Sequence, residues 1–163
     1  MTYRSFLVLL MSALLWTGNT SFSNNREGES QTDRDKNPGD TVLMVPVGGN
    51  TWVQNIPPGS RVITNAGIEN WTDEAARFDT YFRISHPGKV RIKIRAKAAG
   101  ESRLQVAVNN IPRKITIEGD DFRLYEAGEW ELKDTGYIKI TLTGISKTGA
   151  RFAEVSDYAI GGS

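Results

Sequence analysis

The segment Lys89–Lys97 (KVRIKIRAK) alternates strictly between basic and apolar residues. Successive side chains of a β-strand point to opposite faces, so a strand places the basic and the apolar residues on separate sides. An α-helix would scatter the same residues around its circumference. The segment therefore predicts a strand with one face in a core and the other in water. Its apolar members are Val90, Ile92, Ile94 and Ala96.

The same alternation recurs along the chain after residue 40, interrupted at short intervals by turn-forming residues. Ala99–Ser102 is interpreted as the turn of a β-hairpin and Asn109–Pro112 as the next turn. Pro46 indicates a strand at a sheet edge, and Asp73–Arg77 has the composition of one helical turn. Many short strands separated by turns predict an all-β fold, a two-sheet antiparallel β-sandwich of the jelly-roll kind. The predicted strands are Thr41–Val47, Arg61–Thr64, Phe78–Ser85, Lys89–Lys97, Arg103–Val108, Lys114–Glu118, Phe122–Leu124, Trp130–Leu132, Tyr137–Thr143 and Phe152–Ile160.

Two N-terminal segments lie outside the predicted sandwich. A charged start, the apolar run Ser5–Trp16 and a small polar stretch predict a signal peptide over residues 1–23. The apolar run is shorter than the roughly 20 residues of a membrane span, although an uncleaved anchor is the alternative. Residues 24–39 contain no aliphatic or aromatic side chain, which predicts a disordered linker. Residues 40–163 form the predicted β-sandwich domain of a secreted or periplasmic protein, with no transmembrane segment after cleavage.

The composition excludes several kinds of chemistry. The chain has no cysteine and one histidine, His86, which excludes a cysteine nucleophile, a disulfide framework and a metal site built on several imidazoles. Lys and Arg number 20 against 19 Asp and Glu, so no overall field favours nucleic acid. No catalytic centre is predicted. A small glycoside hydrolase using Asp73 and Glu74 near Trp71 is the weakest alternative considered.

The aromatic residues outside the predicted core suggest a carbohydrate ligand. Sugar rings present apolar C–H faces that stack on flat side chains, while neighbouring polar groups bind the hydroxyls. Trp71, set among amide, hydroxyl and carboxylate groups, is the predicted platform, which requires it to lie at the surface. Core or loop packing is the alternative for each aromatic residue, and turn formation for each asparagine. The candidate ligand-binding residues are Trp71, Asn70, Asp73, Trp52, Tyr81, Asn109 and Asn110.

The basic face of Lys89–Lys97 supports a second hypothesis, a protein-interaction or structural domain of the cell envelope. Such a partner would bind this face or an exposed edge strand, and neutralising Arg91, Lys93 and Arg95 would weaken a salt-sensitive association. Alternatively, the basic face is the water-exposed side of a sheet, balanced by Glu118 or other acids on neighbouring strands.

Several motifs together resemble a known family. They are VPVGGN (45–50), NW (70–71), TYFRIS (80–85), AGES (99–102) and GYIKITLTGISKTG (136–149), followed by FAEVSDY (152–158). This spaced set resembles the exported bacterial module called domain of unknown function 5077 and extends over residues 41–162. The chain also resembles, less closely, the jelly-roll carbohydrate-binding modules.

The resemblance implies a β-sandwich located outside the cytoplasm and, by analogy, sugar binding. It also implies structural calcium, for which Asp157, Asp73 and Glu74 are candidate oxygen ligands. No other cofactor is expected. The chain has no acidic loop of the D-x-D-x-D-G kind, so these three carboxylates are weak candidates for the metal.

Overall fold

The structure is a computed structural model that describes residues 42–162, and every regular element in this range is a strand. The predicted signal peptide (1–23) and linker (24–39) lie outside the described residues and stay predictions. The nine strands are β1 (Leu43–Pro46), β2 (Thr51–Gln54), β3 (Ile63–Thr64), β4 (Gly67–Ile68), β5 (Arg77–Ile84), β6 (Gly88–Val108), β7 (Ile111–Leu132), β8 (Gly136–Lys147) and β9 (Glu154–Gly161).

The long strands β6 and β7 belong to two sheets at once. Their outer halves, far from the turn that joins them, pair with each other, and β6 also pairs with β9, which in turn pairs with β1 and β4. This is the first sheet, extended by β3. The halves next to the turn pair in the second sheet, in which β8, β5 and β2 follow β6. All pairings are antiparallel, and they join the nine strands into one continuous sheet that β6 and β7 divide into these two layers. The predicted all-β, antiparallel β-sandwich is thus confirmed.

The predicted hairpin around Ala99–Ser102 is wrong. β6 runs through this segment as one strand of 21 residues, and its register shifts between Ala98 and Ser102 where it passes from the first sheet to the second. Gly100 has a positive φ of 101°, and a β-carbon there would lie 2.9 Å from Oγ1 of Thr148. The turn-like composition thus forms a β-bulge, which bends the strand while keeping its apolar face towards the core.

The three short strands predicted between residues 114 and 132 are likewise one strand. β7 continues for 22 residues, and Gly119 at the interruption has a positive φ of 94°. Antiparallel pairing with β6 continues on both sides of it. The chain therefore continues as a strand here because it pairs with β6 on both sides of Gly119, although the local sequence is typical of a turn.

A two-residue turn, Asn109-Asn110, joins β6 to β7. Both asparagines have positive φ, 48° and 66°, and Val108 pairs directly with Ile111. Two left-handed residues in a two-residue loop are the signature of the type I′ turn, which asparagine tolerates better than most residues. The predicted turn is confirmed in its first half, whereas Ile111 and Pro112 are the first residues of β7.

The core lies between the two sheets and contains the predicted apolar faces, including that of Val90–Ala96. Pro46 lies in β1, whose pairing in the described part of the chain is to β9 alone, as expected of an edge. Two buried hydroxyls, those of Ser102 and Tyr158, have no hydrogen-bond partner among the described residues. Burial raises the pKa of Tyr158. The hydroxyl of Thr80 lowers this pKa in part, although the two hydroxyls do not form a hydrogen bond.

At neutral pH, Tyr158→Phe is expected to have nearly the same free energy of unfolding as the wild type. In alkaline solution, the variant is expected to be more stable than the wild type. The folded state favours the protonated phenol, so the wild type loses stability as pH rises above the ordinary pKa of about 10, by ~1.4 kcal/mol per pH unit. Phenylalanine removes this titration. Urea unfolding of both proteins at about pH 8 and about pH 11 measures the difference. Parallel losses in the two proteins would contradict the assigned burial of the hydroxyl.

Candidate functional site

Trp71 lies in the core, so the predicted surface platform at this position is wrong. Its side chain is 1% exposed. It stacks on Phe152 with ring centroids 4.6 Å apart and meets Phe78 edge to face at 4.8 Å. The indole nitrogen donates a hydrogen bond of 2.7 Å to the carbonyl oxygen of Asp73. With both its faces and its donor engaged, Trp71 offers no surface to a sugar ring.

The loop around Trp71 is built by local hydrogen bonds. Asn70 takes a left-handed conformation with φ of 54°. Oδ1 of Asp73 accepts a hydrogen bond from the amide of Ala75 at 2.8 Å, and the Ala76 amide donates to the Asp73 carbonyl at 3.3 Å. The predicted helical turn at Asp73–Arg77 is thus a single hydrogen-bonded turn leading into β5. Asn70 and Asp73 line a hollow of about 480 Å³ at this end of the sandwich.

Trp52 and Tyr81, by contrast, lie together on the surface. They are 60% and 39% exposed, and their rings meet edge to face with centroids 5.4 Å apart. Trp52 lies on β2 and Tyr81 on the neighbouring β5. Tyr81 alternates with the buried Phe82, as the sequence predicted. The pair therefore lies on the solvent-facing side of the second sheet, called the aromatic face below.

Tyr137 is a third exposed aromatic residue on the aromatic face, and sequence reasoning missed it. It is 79% exposed and pairs with Arg83, while Tyr81 pairs with Lys139 two residues along β8. The two tyrosines are therefore diagonal neighbours, a separation of about 7–8 Å between α-carbons. The signal was available, because Tyr137 precedes the buried Ile138 in the alternation of its strand. Trp52, Tyr81 and Tyr137 thus cross three adjacent strands.

Asp79 lies next to Trp52 and Tyr81 on the aromatic face. It is 3% exposed although it points to the outer side of the sheet, opposite Trp52 in the pairing of β5 with β2. Its carboxylate accepts hydrogen bonds from the neighbours on three strands and holds them in place. The distances are 2.7 Å to Oγ1 of Thr141, 3.1 Å to Nε of Arg77, 3.4 Å to Nε2 of Gln54 and, as a looser ion pair, 3.9 Å to Nζ of Lys139.

Asn109 and Asn110 lie level with the Trp52–Tyr81 pair but across the sheet from it. The row of paired residues that begins at Thr51 on β2 ends at Val108, immediately before the turn. β2 and β6 are three strand spacings apart, about 14 Å. The structure thus brings Trp52 and Tyr81 together. Asn109 and Asn110 are too far from this pair to contact the same sugar ring, although an oligosaccharide could reach both places.

The basic face of β6 is largely paired with acids on its neighbours. Arg91 lies 2.6 Å from Glu129, Lys93 lies 3.2 Å from Glu126, and Lys97 lies 3.2 Å from Glu154 on β9. The hydrogen bond from Arg91, followed by its charge, lowers the pKa of Glu129. Exposed pairs of this kind contribute little to stability. These ion pairs nevertheless neutralise much of the positive charge that an envelope partner would bind. The structure therefore favours the interpretation of this face as the water-exposed side of the sheet.

The candidate calcium ligands are not gathered into one site. Asp157 lies in β9, whereas Asp73 and Glu74 lie in the loop before β5. Among residues 42–162, no group of three or more His, Asp or Glu side chains is close enough together to hold a metal ion. Calcium usually takes six to eight oxygen ligands, so these residues do not by themselves form its site.

None of the described segments is a helix with the length and apolar character needed to cross a membrane.

Comparisons with known proteins agree with the fold. The family described as Domain of unknown function (DUF5077) matches residues 45–163, and no curated protein matches the sequence. A GH26-CBM35 β-(1,4)-mannanase from Podospora anserina is similar in structure, with a TM-score of 0.57, 17% identity and coverage of 76% of this chain and 28% of the mannanase. The insecticidal δ-endotoxin Cry8Ea1 from Bacillus thuringiensis is also similar in structure. Its TM-score is 0.54 at 11% identity, and the match covers 77% of this chain and 24% of the toxin.

A family 35 carbohydrate-binding module from Clostridium thermocellum is similar at a TM-score of 0.46 and 10% identity, covering 77% of this chain and 95% of the module. This chain spans about a quarter of the length of the mannanase and toxin chains. At these identities the likeness to the mannanase and the toxin shows the fold and nothing further.

Proposed function

The chain belongs to the DUF5077 family, and we propose that it is an exported, non-catalytic module that binds carbohydrate. The observation that carries the proposal is the exposed pair of Trp52 and Tyr81 on the aromatic face. Large aromatic side chains at the surface bind flat apolar surfaces, and the C–H faces of sugar rings are such surfaces. The pair replaces Trp71 as the stacking platform.

The surroundings of the pair suit a sugar ligand. Arg83, Lys139 and Thr141 on the aromatic face, together with Gln105 on β6, provide donors and acceptors for ring hydroxyls. The rings are carried by paired strands beside the hydrogen-bonded Asp79. A site that is already ordered loses little conformational entropy on binding.

The aromatic face also argues for binding without catalysis. Glycoside hydrolysis requires two carboxyl groups flanking the scissile bond. Asp79, the carboxylate beside the aromatic pair, is buried and occupied by Arg77 and Thr141. Asp73, the carboxylate of the weaker hydrolase hypothesis, caps a turn. Neither residue is placed to protonate a glycosidic oxygen at the Trp52–Tyr81 pair.

The proposal includes the domain organisation. A signal peptide over residues 1–23 delivers the protein to the periplasm or the medium, residues 24–39 act as a tether, and residues 40–163 bind the ligand. The proposal does not require structural calcium, and the effect of calcium on binding is tested separately. N-terminal sequencing of the exported protein tests the cleavage position, and glycan binding measured with and without calcium tests the metal.

Trp52→Ala is expected to weaken polysaccharide binding about tenfold and to leave the fold intact. Stacking of a nucleic-acid base on one aromatic side chain is worth about 1–3 kcal/mol, and we expect a stacked sugar ring to fall at the lower end of this range. Affinity gel electrophoresis of the full chain against a panel of soluble polysaccharides measures the effect. The matched control is Leu124→Ala, which removes an exposed apolar side chain from the first sheet. The proposal fails if no polysaccharide retards the wild type, or if Trp52→Ala and Tyr81→Ala both bind as the wild type does.

A further inference from the structure

We infer that the aromatic face selects an acidic polysaccharide, one whose sugar units carry carboxylate groups. The inference rests on the proposed function and concerns the charge of the same site. The solvent-facing side of the second sheet carries more cations than acids, since three acids, Asp79, Glu101 and Glu118, face outward within the described part of the sheet. The cations are Arg77, Arg83, Arg103, Lys114 and Lys139.

Two of the acids already form ion pairs with two of these cations. Asp79 is held by Arg77 at 3.1 Å, and Glu101 pairs with Arg103 at 3.0 Å. Lys139 approaches Asp79 only to 3.9 Å. Arg83 makes no ion pair and no side-chain hydrogen bond to any residue between 42 and 162. Arg83 and Lys114 are therefore left without an ion pair in this part of the chain and Lys139 has only a loose one, and of these three Arg83 and Lys139 lie opposite the exposed tyrosines.

These cations lie beside the exposed rings. Lys139 is the direct cross-strand neighbour of Tyr81, and Arg83 is that of Tyr137. Directly opposite residues of an antiparallel pair have β-carbons about 4.5–5.5 Å apart on the same face. Each tyrosine thus has a cation at its side, and the arrangement repeats along the diagonal of the sheet.

A stacked sugar acid would use both parts of this arrangement. Its ring packs a C–H face on the aromatic side chain, and its carboxylate projects from the ring edge towards the neighbouring cation. The planar guanidinium of Arg83 matches the two oxygens of a carboxylate. A neutral sugar would leave the charge of Arg83 unused, whereas an acidic one gains a charge-assisted hydrogen bond to Arg83 without the loss of any existing ion pair.

The other outer face of the sandwich provides a contrast. On β6 the arginine at position 91 is held by Glu129 at 2.6 Å, and Lys93 by Glu126 at 3.2 Å, and no pair of exposed rings accompanies them. Three of the five basic side chains on that face of β6 are paired with acids of the described chain, and Arg95 is the arginine that is not. Among residues 42–162, the aromatic face alone carries two exposed rings in contact with each other, and these rings lie beside cations without a close acid partner.

The test compares polygalacturonate with its fully methyl-esterified form, which has the same sugar backbone but a neutral methyl ester in place of each carboxylate. The full chain is expected to bind polygalacturonate about fivefold more tightly, the size of one partly exposed ion pair. Raising the salt concentration from about 0.1 M to about 1 M should remove this preference by screening. Isothermal titration calorimetry measures both affinities.

Arg83→Gln is expected to lower affinity for polygalacturonate about fivefold and affinity for the esterified form by a clearly smaller factor, because glutamine keeps a donor for hydroxyls but not the charge. The matched control is Arg95→Gln, which removes an exposed arginine that also lacks an ion pair in the described chain but lies on the first sheet. It should bind both ligands as the wild type does.

The outcomes separate this inference from the proposed function. Equal affinity for the two ligands, with binding still lost in Trp52→Ala, would overturn the acidic preference and leave carbohydrate binding intact. Binding of neither ligand, nor of any neutral polysaccharide, would overturn both. Stronger binding of a single-stranded oligonucleotide than of polygalacturonate would also overturn the inference, since stacking rings with adjacent cations can bind such strands.

Discussion

Trp71→Ala is expected to destabilise the protein by about 4 kcal/mol, the usual cost of truncating a buried tryptophan. The indole is 1% exposed, stacks on Phe152 and meets Phe78 at its edge. Alanine leaves a cavity that these two rings can fill only in part, and it abandons the hydrogen bond to the Asp73 carbonyl. A loss of this size is a large fraction of the stability of an ordinary domain.

Chemical denaturation of the full chain measures this loss, with Trp52→Ala as the matched control. Trp52 is the same residue type but 60% exposed, so its replacement should change the free energy of unfolding by no more than about 0.5 kcal/mol. The two variants should therefore separate stability from binding. A stable Trp71→Ala protein that no longer binds polysaccharide would reverse the assignment of the two tryptophans.

The strands could be predicted from the sequence because alternation is a local property. The faces of Lys89–Lys97 and the outward position of Tyr81 follow from nearest neighbours alone. The path of β6 through Ala99–Ser102 does not, because a hairpin turn and a β-bulge share the same small and glycine-containing composition. The distinction depends on β7 and β9, which are far away in sequence and continue the pairing on either side.

The site was harder to predict for the same reason. Trp52 and Trp71 both have polar neighbours in the chain, and that local context cannot show that Phe152, 81 positions later, covers one of them. From the sequence alone, the alternation of β5 predicts that Asp79 is an ordinary outward-facing residue. Its burial depends on Gln54, Arg77 and Thr141, which the sheet brings together from three strands. Residues of a binding face are therefore recognised only once the order of the strands is known.

Asp79→Ala is expected to destabilise the protein by about 2 kcal/mol and also to weaken polysaccharide binding. The variant leaves the hydroxyl of Thr141 and the guanidinium of Arg77 without their common acceptor. Each partly buried group that loses its partner costs about 1–3 kcal/mol, and the half-exposed Arg77 recovers some of this by binding water. The strands that carry Trp52 and Tyr81 then lose the carboxylate that joins them to β8.

Denaturation and affinity electrophoresis of the same samples test whether the two effects share this cause. The conservative variant Asp79→Asn retains an oxygen for Thr141 but no charge for Arg77, so it should be intermediate in stability. Asp134→Ala, which removes an exposed carboxylate without a partner in the described chain, should match the wild type in both measurements. If Asp79→Ala were as stable as the wild type, the carboxylate would not organise the aromatic face. If it lost stability but bound polysaccharide normally, Trp52 and Tyr81 would be held in place by the paired strands alone.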